Sequence, residues 1–374
     1  MSLTRLKSLP LVVLLVVISS SAMAQQKVEI NALFPPNGSG NRLWSDFNSY
    51  VLKDPLVDGM NPGLDWASVE HRPGEYDFSE FDKNLKRYYD AGKKVNIIVR
   101  PVSNGGANKN TPDYVFTDKW AQSVGASRLD VVTCQAYHGE GSRESGFPAV
   151  YEAPFKNAYK KFIAAVLQHY ANNPHIGYIR FGLAVGGEAF AWCVDDLKSL
   201  SGDNSFSKSR WLGYVEEMDA YEESLHPTMQ LMAAINEQRD NHHNSWDVSF
   251  ADEEAKIAVA HGQGFGAQGW QRSDIESFAA GKPCHSDWCA LFEKYAGKVP
   301  LELQQAGPSD PNGGNKTGLM SDIIPFAVAH HATILEIYVP DLHIALVPNH
   351  PAHEQYGEAW KRALVNAHEG RASK

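Results

Sequence analysis

The stretch Ile176-Gly177-Tyr178-Ile179-Arg180-Phe181-Gly182-Leu183-Ala184-Val185-Gly186-Gly187-Glu188 sets the terms for the whole chain. A run this rich in β-branched and aromatic residues reads as a strand. It leads into two glycines, which let the backbone turn sharply and a ligand come close, and then into a carboxylate. The segment 154–170 before it repeats apolar residues at helical spacing, and 207–224 after it does the same until His226-Pro227 stop it. A strand between two amphipathic helices is one unit of β/α alternation, and that alternation implies a parallel sheet.

Working outward, the same rhythm predicts strands over 28–35, 59–66, 94–101, 176–185, 229–237, 264–270, 299–304 and 333–339. Helices are predicted over 45–52, 79–91, 154–170, 207–224, within 252–260, and over 287–295, 318–329 and 354–368. Ser79 is placed to cap the second of these and Gly92 to end it. One interval, 102–152, breaks the rhythm: it is rich in Gly, Asn and Ser, and a loop of that length usually serves function. Eight units predict an α/β fold, a (β/α)8 TIM barrel over 25–374 with a long loop after strand three. No G-x-G-x-x-G follows a strand and no phosphate-binding G-x-x-x-x-G-K-[ST] is present, so nucleotide folds lose their support.

Arg5 and Lys7, the apolar run over 9–18 and the closing Ala22-Met23-Ala24 read as a signal peptide over 1–24. The run is too short to span a bilayer, so a secreted or periplasmic protein is expected, with no membrane partner after cleavage. A net charge of −10 disfavours nucleic acid, and nine Trp suit a carbohydrate partner. Of the four cysteines, Cys284 and Cys289 are spaced to close a small loop, which leaves Cys134 and Cys193 as a second pair. Paired C-x-x-C spacing is missing, and neither a metal nor another cofactor is expected.

Barrel enzymes draw their chemistry from the C-terminal ends of strands. That rule cuts 44 acidic residues to Asp65, Glu70, Glu188, Glu237, Glu302 and Glu336. Glu188 leads, because Phe190 and Trp192 can wall it from water, and a carboxyl against aromatic rings keeps a proton for a leaving oxygen. Glu302, between Leu301 and Leu303, points into the barrel, with Gln304 on the same face one layer nearer the mouth. Glu336 is a similar inward candidate, with Tyr338 above it. A buried Glu has either a partner or a function, so Glu302 is a nucleophile or the counter-charge of Arg100 or Arg180. Two carboxylates flanking a sugar are what glycoside hydrolysis requires. Asp65, Arg100, Asn104, Asn236, Gln268 and Gln304 could position hydroxyls; Trp66, Trp192 and Trp270 could stack on pyranose faces. Glu237 reads as a residue that holds the site together.

The run Asp65-Trp66-Ala67-Ser68-Val69-Glu70-His71-Arg72-Pro73-Gly74-Glu75-Tyr76-Asp77-Phe78, with Ala91-Gly92-Lys93-Lys94-Val95 after it, resembles the second-to-third-strand region of clan A glycoside hydrolases. It is most similar to the β-galactosidase-type families 42 and 35, and Thr111-Pro112-Asp113-Tyr114-Val115 resembles the segment after their third strand. The resemblance implies hydrolysis of β-glycosidic bonds with retention, Glu188 as acid/base and Glu302 as nucleophile. Two positions depart from the pattern. Gly187 stands where the clan has Asn, and Gln304 can be aligned on the nucleophile. The second alignment leaves Glu336 as nucleophile, or a glycan-binding barrel that has lost it.

Overall fold

The computed structural model describes residues 27–33, 47–103, 108–133, 146–239, 246–309 and 317–370. Residues 1–24, which the sequence reading takes as a signal peptide, and also Asn104 and Cys134 lie outside these residues. Nine parallel strands form one closed sheet, and two of them share a position, so the barrel has eight staves. In order these are Glu29–Leu33; Gly59–Met60 with Gly63–Asp65; Lys94–Arg100; Ile176–Phe181; Gln230–Ile235; Gly264–Trp270; Leu301–Gln305; and Ile334–Tyr338. The ring closes where Asn31 pairs with Glu336 on one side and Gly59 on the other. The second stave breaks at Asn61-Pro62, since proline has no N–H to give the ladder. This is the (β/α)8 TIM barrel expected from the eight units.

The outward residues of the staves, such as Val95, Ile97, Val99, Ile179, Phe265, Leu301, Leu303, Leu335 and Ile337, join one continuous core with the helices. The inward residues form two separate small apolar groups, Tyr178, Met232 and Ile334 near the strand starts and Leu33, Ile98 and Tyr338 nearer their ends. Between these two groups the barrel interior is polar. That layer is where the inward carboxylates sit.

Local details depart from the expected boundaries for physical reasons. Ser79 opens its helix, Ser79–Asp90, but the Asp77 carboxylate caps it by accepting Ser79 N–H at 2.9 Å. Gly92, at φ 72°, ends that helix as expected. The fourth strand stops at Phe181 instead of Val185. Beyond it the chain folds back, with Leu183 and Ala184 N–H both reaching the Glu188 carbonyl at 3.0 Å. A Cβ on Gly182 would lie 2.3 Å from the Gly187 Cα, so the fold-back requires glycine there. Gly187 itself sits at φ 94°. The interval 102–152 contains helical turns at Asp113–Phe116 and Asp118–Ser123 and a hairpin pairing Val131–Val132 with Phe147–Pro148. An unexpected helix, Val339–Leu346, follows the eighth stave. Cys284 and Cys289 are bonded as expected, and Cys193 is also in a disulfide. Among the described residues no helix is long and apolar enough to cross a membrane.

The helix Lys208–Ser224 turns two acids inward, Asp219 and Glu222. Gln263 Nε2 donates to Glu222 Oε2 at 3.2 Å, while Glu222 Oε1 and Asp219 Oδ2 have no hydrogen-bond partner. Burial holds both carboxyls above their ordinary range; His261 pulls Asp219 back, Glu216 pushes it up, and the Asp219 charge raises Glu222 further. The folded state therefore keeps protons that the unfolded chain releases above about pH 4. Their stabilisation is complete below that pH and is lost as pH rises through the folded-state values. Glu222→Gln, which can keep the Gln263 contact, should raise the unfolding free energy by roughly 1–3 kcal/mol at pH 8. The gain should shrink towards zero at pH 4.5 in urea denaturation; an equal gain at both pH values would show that ionisation is not the cost.

Candidate active site

Glu188 stands half-buried on the glycine-closed loop at the mouth. The carboxamide of Asn236, just beyond the fifth stave, donates to Glu188 Oε2 at 3.3 Å and accepts the Ala189 N–H at 3.1 Å. Gln238 repeats the pattern two residues on, accepting from Ala191 N–H and donating to the Ala189 carbonyl, both at 3.0 Å. Side-chain amides thus pair two loops that have left the sheet. Asn236 is itself fixed by Glu254, whose carboxylate accepts its N–H at 2.8 Å and the Trp211 indole N–H at 2.9 Å. The Tyr338 hydroxyl is pushed up to about 12, first by burial and then by the charges of Glu188, Glu336 and Asp341. Glu188 and Tyr338 therefore belong to one electrostatic neighbourhood.

One layer deeper lies a buried ionic cluster. Arg180 Nη1 donates to both Glu302 oxygens, at 2.6 and 2.7 Å, and to Glu336 Oε1 at 3.3 Å; Nη2 donates to Gln304 Oε1 at 3.0 Å. Glu336 Oε1 also accepts from the Tyr178 hydroxyl at 2.8 Å and from Asn61. Arg180 is 1 % exposed, and Glu302 and Glu336 are not exposed at all. Burial raises the Glu302 carboxyl to about 8, against the pull of Arg180 and with the added push of Glu336. Of the two roles the sequence left open for Glu302, this geometry favours counter-charge to Arg180. It shows no surface, both its oxygens accept from Arg180, and half-buried Gln304 occupies the next layer towards the mouth.

The other candidates divide between mouth and core. Asp65 and Arg100 meet at 2.7 Å with about a third of each side chain exposed, and Asn110 adds a 2.7 Å bond to Asp65. Arg100 is thus spent on Asp65 and not on Glu302. Trp66 is wholly buried, with ring centroids 5.2–5.7 Å from Tyr159, Phe155 and Phe162. Its indole donates to Glu70 at 2.7 Å, and Glu70 also accepts from Gly74 N–H and the Tyr114 hydroxyl. The Trp-to-Glu spacing behind the family resemblance is therefore a packing clamp on the 70–76 hairpin, and Trp66 cannot stack on a sugar. Trp270 is wholly buried too and joins the core for the same reason. Trp192 is partly exposed beside Phe190, at 5.6 Å between centroids. Gln268, on the sixth stave, is in register with Gln304.

One pair escaped the sequence reading. His285 Nδ1 lies 3.2 Å from Glu237 Oε1, with the ring mostly buried. The signal available was Cys284-His285-Ser286-Asp287-Trp288-Cys289, a histidine inside a disulfide loop.

No family model and no curated protein matches the chain. Among solved structures it is similar to the catalytic domain of β-amylase from Paenibacillus polymyxa, with TM-score 0.58, 11% identity, and coverage of 84% of this chain and 92% of that one. It is also similar to β-galactosidase from the psychrophilic Marinomonas ef1, with TM-score 0.51 and 10% identity over 91% of this chain and 59% of that one. A β-galactosidase from Bacillus circulans sp. alkalophilus gives TM-score 0.51 and 14% identity over 83% and 50%. The chain spans between half and three-fifths of the length of these two β-galactosidases. The likeness is one of fold: the (β/α)8 architecture expected from the sequence is the one shared with these barrels.

Removing Arg180 should leave two buried carboxyls without their cation. Arg180→Met is expected to cost about 3–5 kcal/mol in chemical denaturation. The triple change Arg180→Met, Glu302→Gln and Glu336→Gln should recover most of that loss, and failure to recover it would show that charge balance is not what Arg180 provides.

Proposed function

We propose that the chain is an exported glycoside hydrolase that cleaves a β-linked oligo- or polysaccharide at the barrel mouth, with Glu188 as acid/base. The observation that carries this reading is the placement of Glu188. A half-buried carboxyl, held by the Asn236 amide on a loop folded back on itself, stands at the C-terminal end of the fourth stave. The fold is shared with barrels named as a β-amylase and β-galactosidases. Loss of a leaving oxygen needs a proton at that place, and a fixed carboxyl supplies it without reorganisation. Asp65, Arg100 and Tyr338 are the polar groups available to hold sugar hydroxyls around it.

A retaining reaction would use Glu302 as nucleophile. It requires the Gln304 amide to leave Arg180 and the Glu302 carboxylate to be released from Arg180 before attack. That same cover favours a second reading, a barrel that binds glycans without turnover.

Release of product from aryl β-glycosides and from β-linked polysaccharides separates the two. Glu188→Gln should lower kcat by about 10²–10⁴-fold on the natural glycan. If Glu302 is the nucleophile, Glu302→Gln abolishes turnover while leaving binding in place. A folded Glu188→Gln variant with wild-type rates sinks the assignment of Glu188, and tight binding by wild-type protein with no product at all establishes the second reading.

A further inference from the structure

On the side of the mouth formed by the fifth and sixth staves, a polar group is buried with nothing to bind. Gln268 is 4 % exposed, and neither its Oε1 nor its Nε2 has a hydrogen-bond partner. A buried carboxamide left unsatisfied costs free energy, so such a group persists where a ligand or water completes it. It points inward: Gly266, two residues earlier on the same face, is so close to Glu302 that a Cβ would lie 2.8 Å from the carboxylate carbon. Gln268 therefore stands one layer above the ionic cluster, beside Gln304.

The next residue brings a second polar group. Gly269, at φ 105° in a bulge of the sixth stave, leaves room for the His285 ring; a Cβ there would lie 3.2 Å from Nε2. The ring is held from its other edge. Nδ1 faces Glu237 Oε1 at 3.2 Å, and Glu237 Oε2 accepts the Ser286 N–H at 3.1 Å. The buried Asp274 carboxylate accepts the His285 N–H at 2.7 Å. Ser286 and Asp287 both adopt left-handed conformations, φ 52° and 50°, inside the loop closed by Cys284 and Cys289.

We propose that Gln268 and His285, the latter oriented by Glu237, form a subsite that recognises adjacent hydroxyl groups of a neutral pyranose in the glycan. The inference rests on the glycan reading of the mouth and adds the part of the site that reads the sugar. The Gln268 amide offers one donor and one acceptor, the pair that two vicinal hydroxyls require. Glu237 positions the His285 ring, and neither transfers a proton to the leaving oxygen.

The test uses the full exported chain and β-1,3- and β-1,4-linked tetrasaccharides of glucose, galactose, mannose and xylose, with monodeoxy analogues of whichever binds. Gln268→Ala should weaken binding or raise KM by about tenfold or more on the tetrasaccharide that wild type binds. One monodeoxy analogue should bind wild type about tenfold more weakly, and that penalty should vanish in Gln268→Ala. Glu237→Gln should lower affinity without removing the deoxy penalty. If Gln268→Ala binds every probe as wild type does and only its Tm moves, the amide completes itself with a structural water and the subsite is wrong. If wild type binds a tetrasaccharide and Gln268→Ala retains the deoxy penalty, the subsite again fails while the glycan reading stands. Wild type that neither binds nor cleaves any probe overturns both.

Discussion

A guanidinium sealed inside a barrel has to be neutralised from within it. Arg180 has no water to turn to, and the polar layer of this barrel is arranged around that fact. Glu302 and Glu336 come from the seventh and eighth staves to meet it, Gln304 caps it, and Tyr178 and Asn61 add further donors to the same Glu336 oxygen, Oε1. Burial pushes the Glu302 carboxyl up, the Arg180 charge pulls it back, and Glu336 adds a smaller push. The cluster divides the barrel into a packed lower half and a mouth, and it removes from the mouth the two acids that strand alternation alone would have offered there.

The mouth is consequently built from loops, and loops need other means of fixation. Backbone ladders end at Phe181 and Ile235, and from there carboxamides take over the pairing. Asn236 and Gln238 bind the 188–191 loop as adjacent strands would, one donor and one acceptor at a time. Glu254 extends the chain of contacts outward to Trp211 in the helical layer, so Glu188 is tied to the packed part of the fold through Asn236 and Glu254.

How much of this was legible in the sequence follows from which interactions are local. The staves were, because β-branched runs and period-2 alternation depend only on near neighbours; Leu301 and Leu303 outward with Glu302 inward is such a case. The motif Trp66 to Glu70 was visible but its purpose was not. Its spacing fits a clamp on a hairpin as well as a binding platform, and only the packing of Phe155, Tyr159 and Phe162 around the ring decides. The choice of Arg180 over Arg100 for Glu302, and of Asp65 for Arg100, depends on register between distant strands. His285 was hidden for the same reason, since its partner Glu237 is distant in the chain and belongs to another stave.

The fold-back that carries Glu188 has one more implication. Its path exists because the backbones at Gly182 and Gly187 come into direct contact, closer than any side chain allows. The location of the acid is therefore written in two missing methyl groups, not in any group that touches it. A side chain is excluded at Gly182 by the Gly187 backbone and at Gly187 by Ile98, and a comparison keyed to reactive side chains would pass over both positions. The information that aims the carboxylate is stored as empty space, six residues upstream of it and at its side.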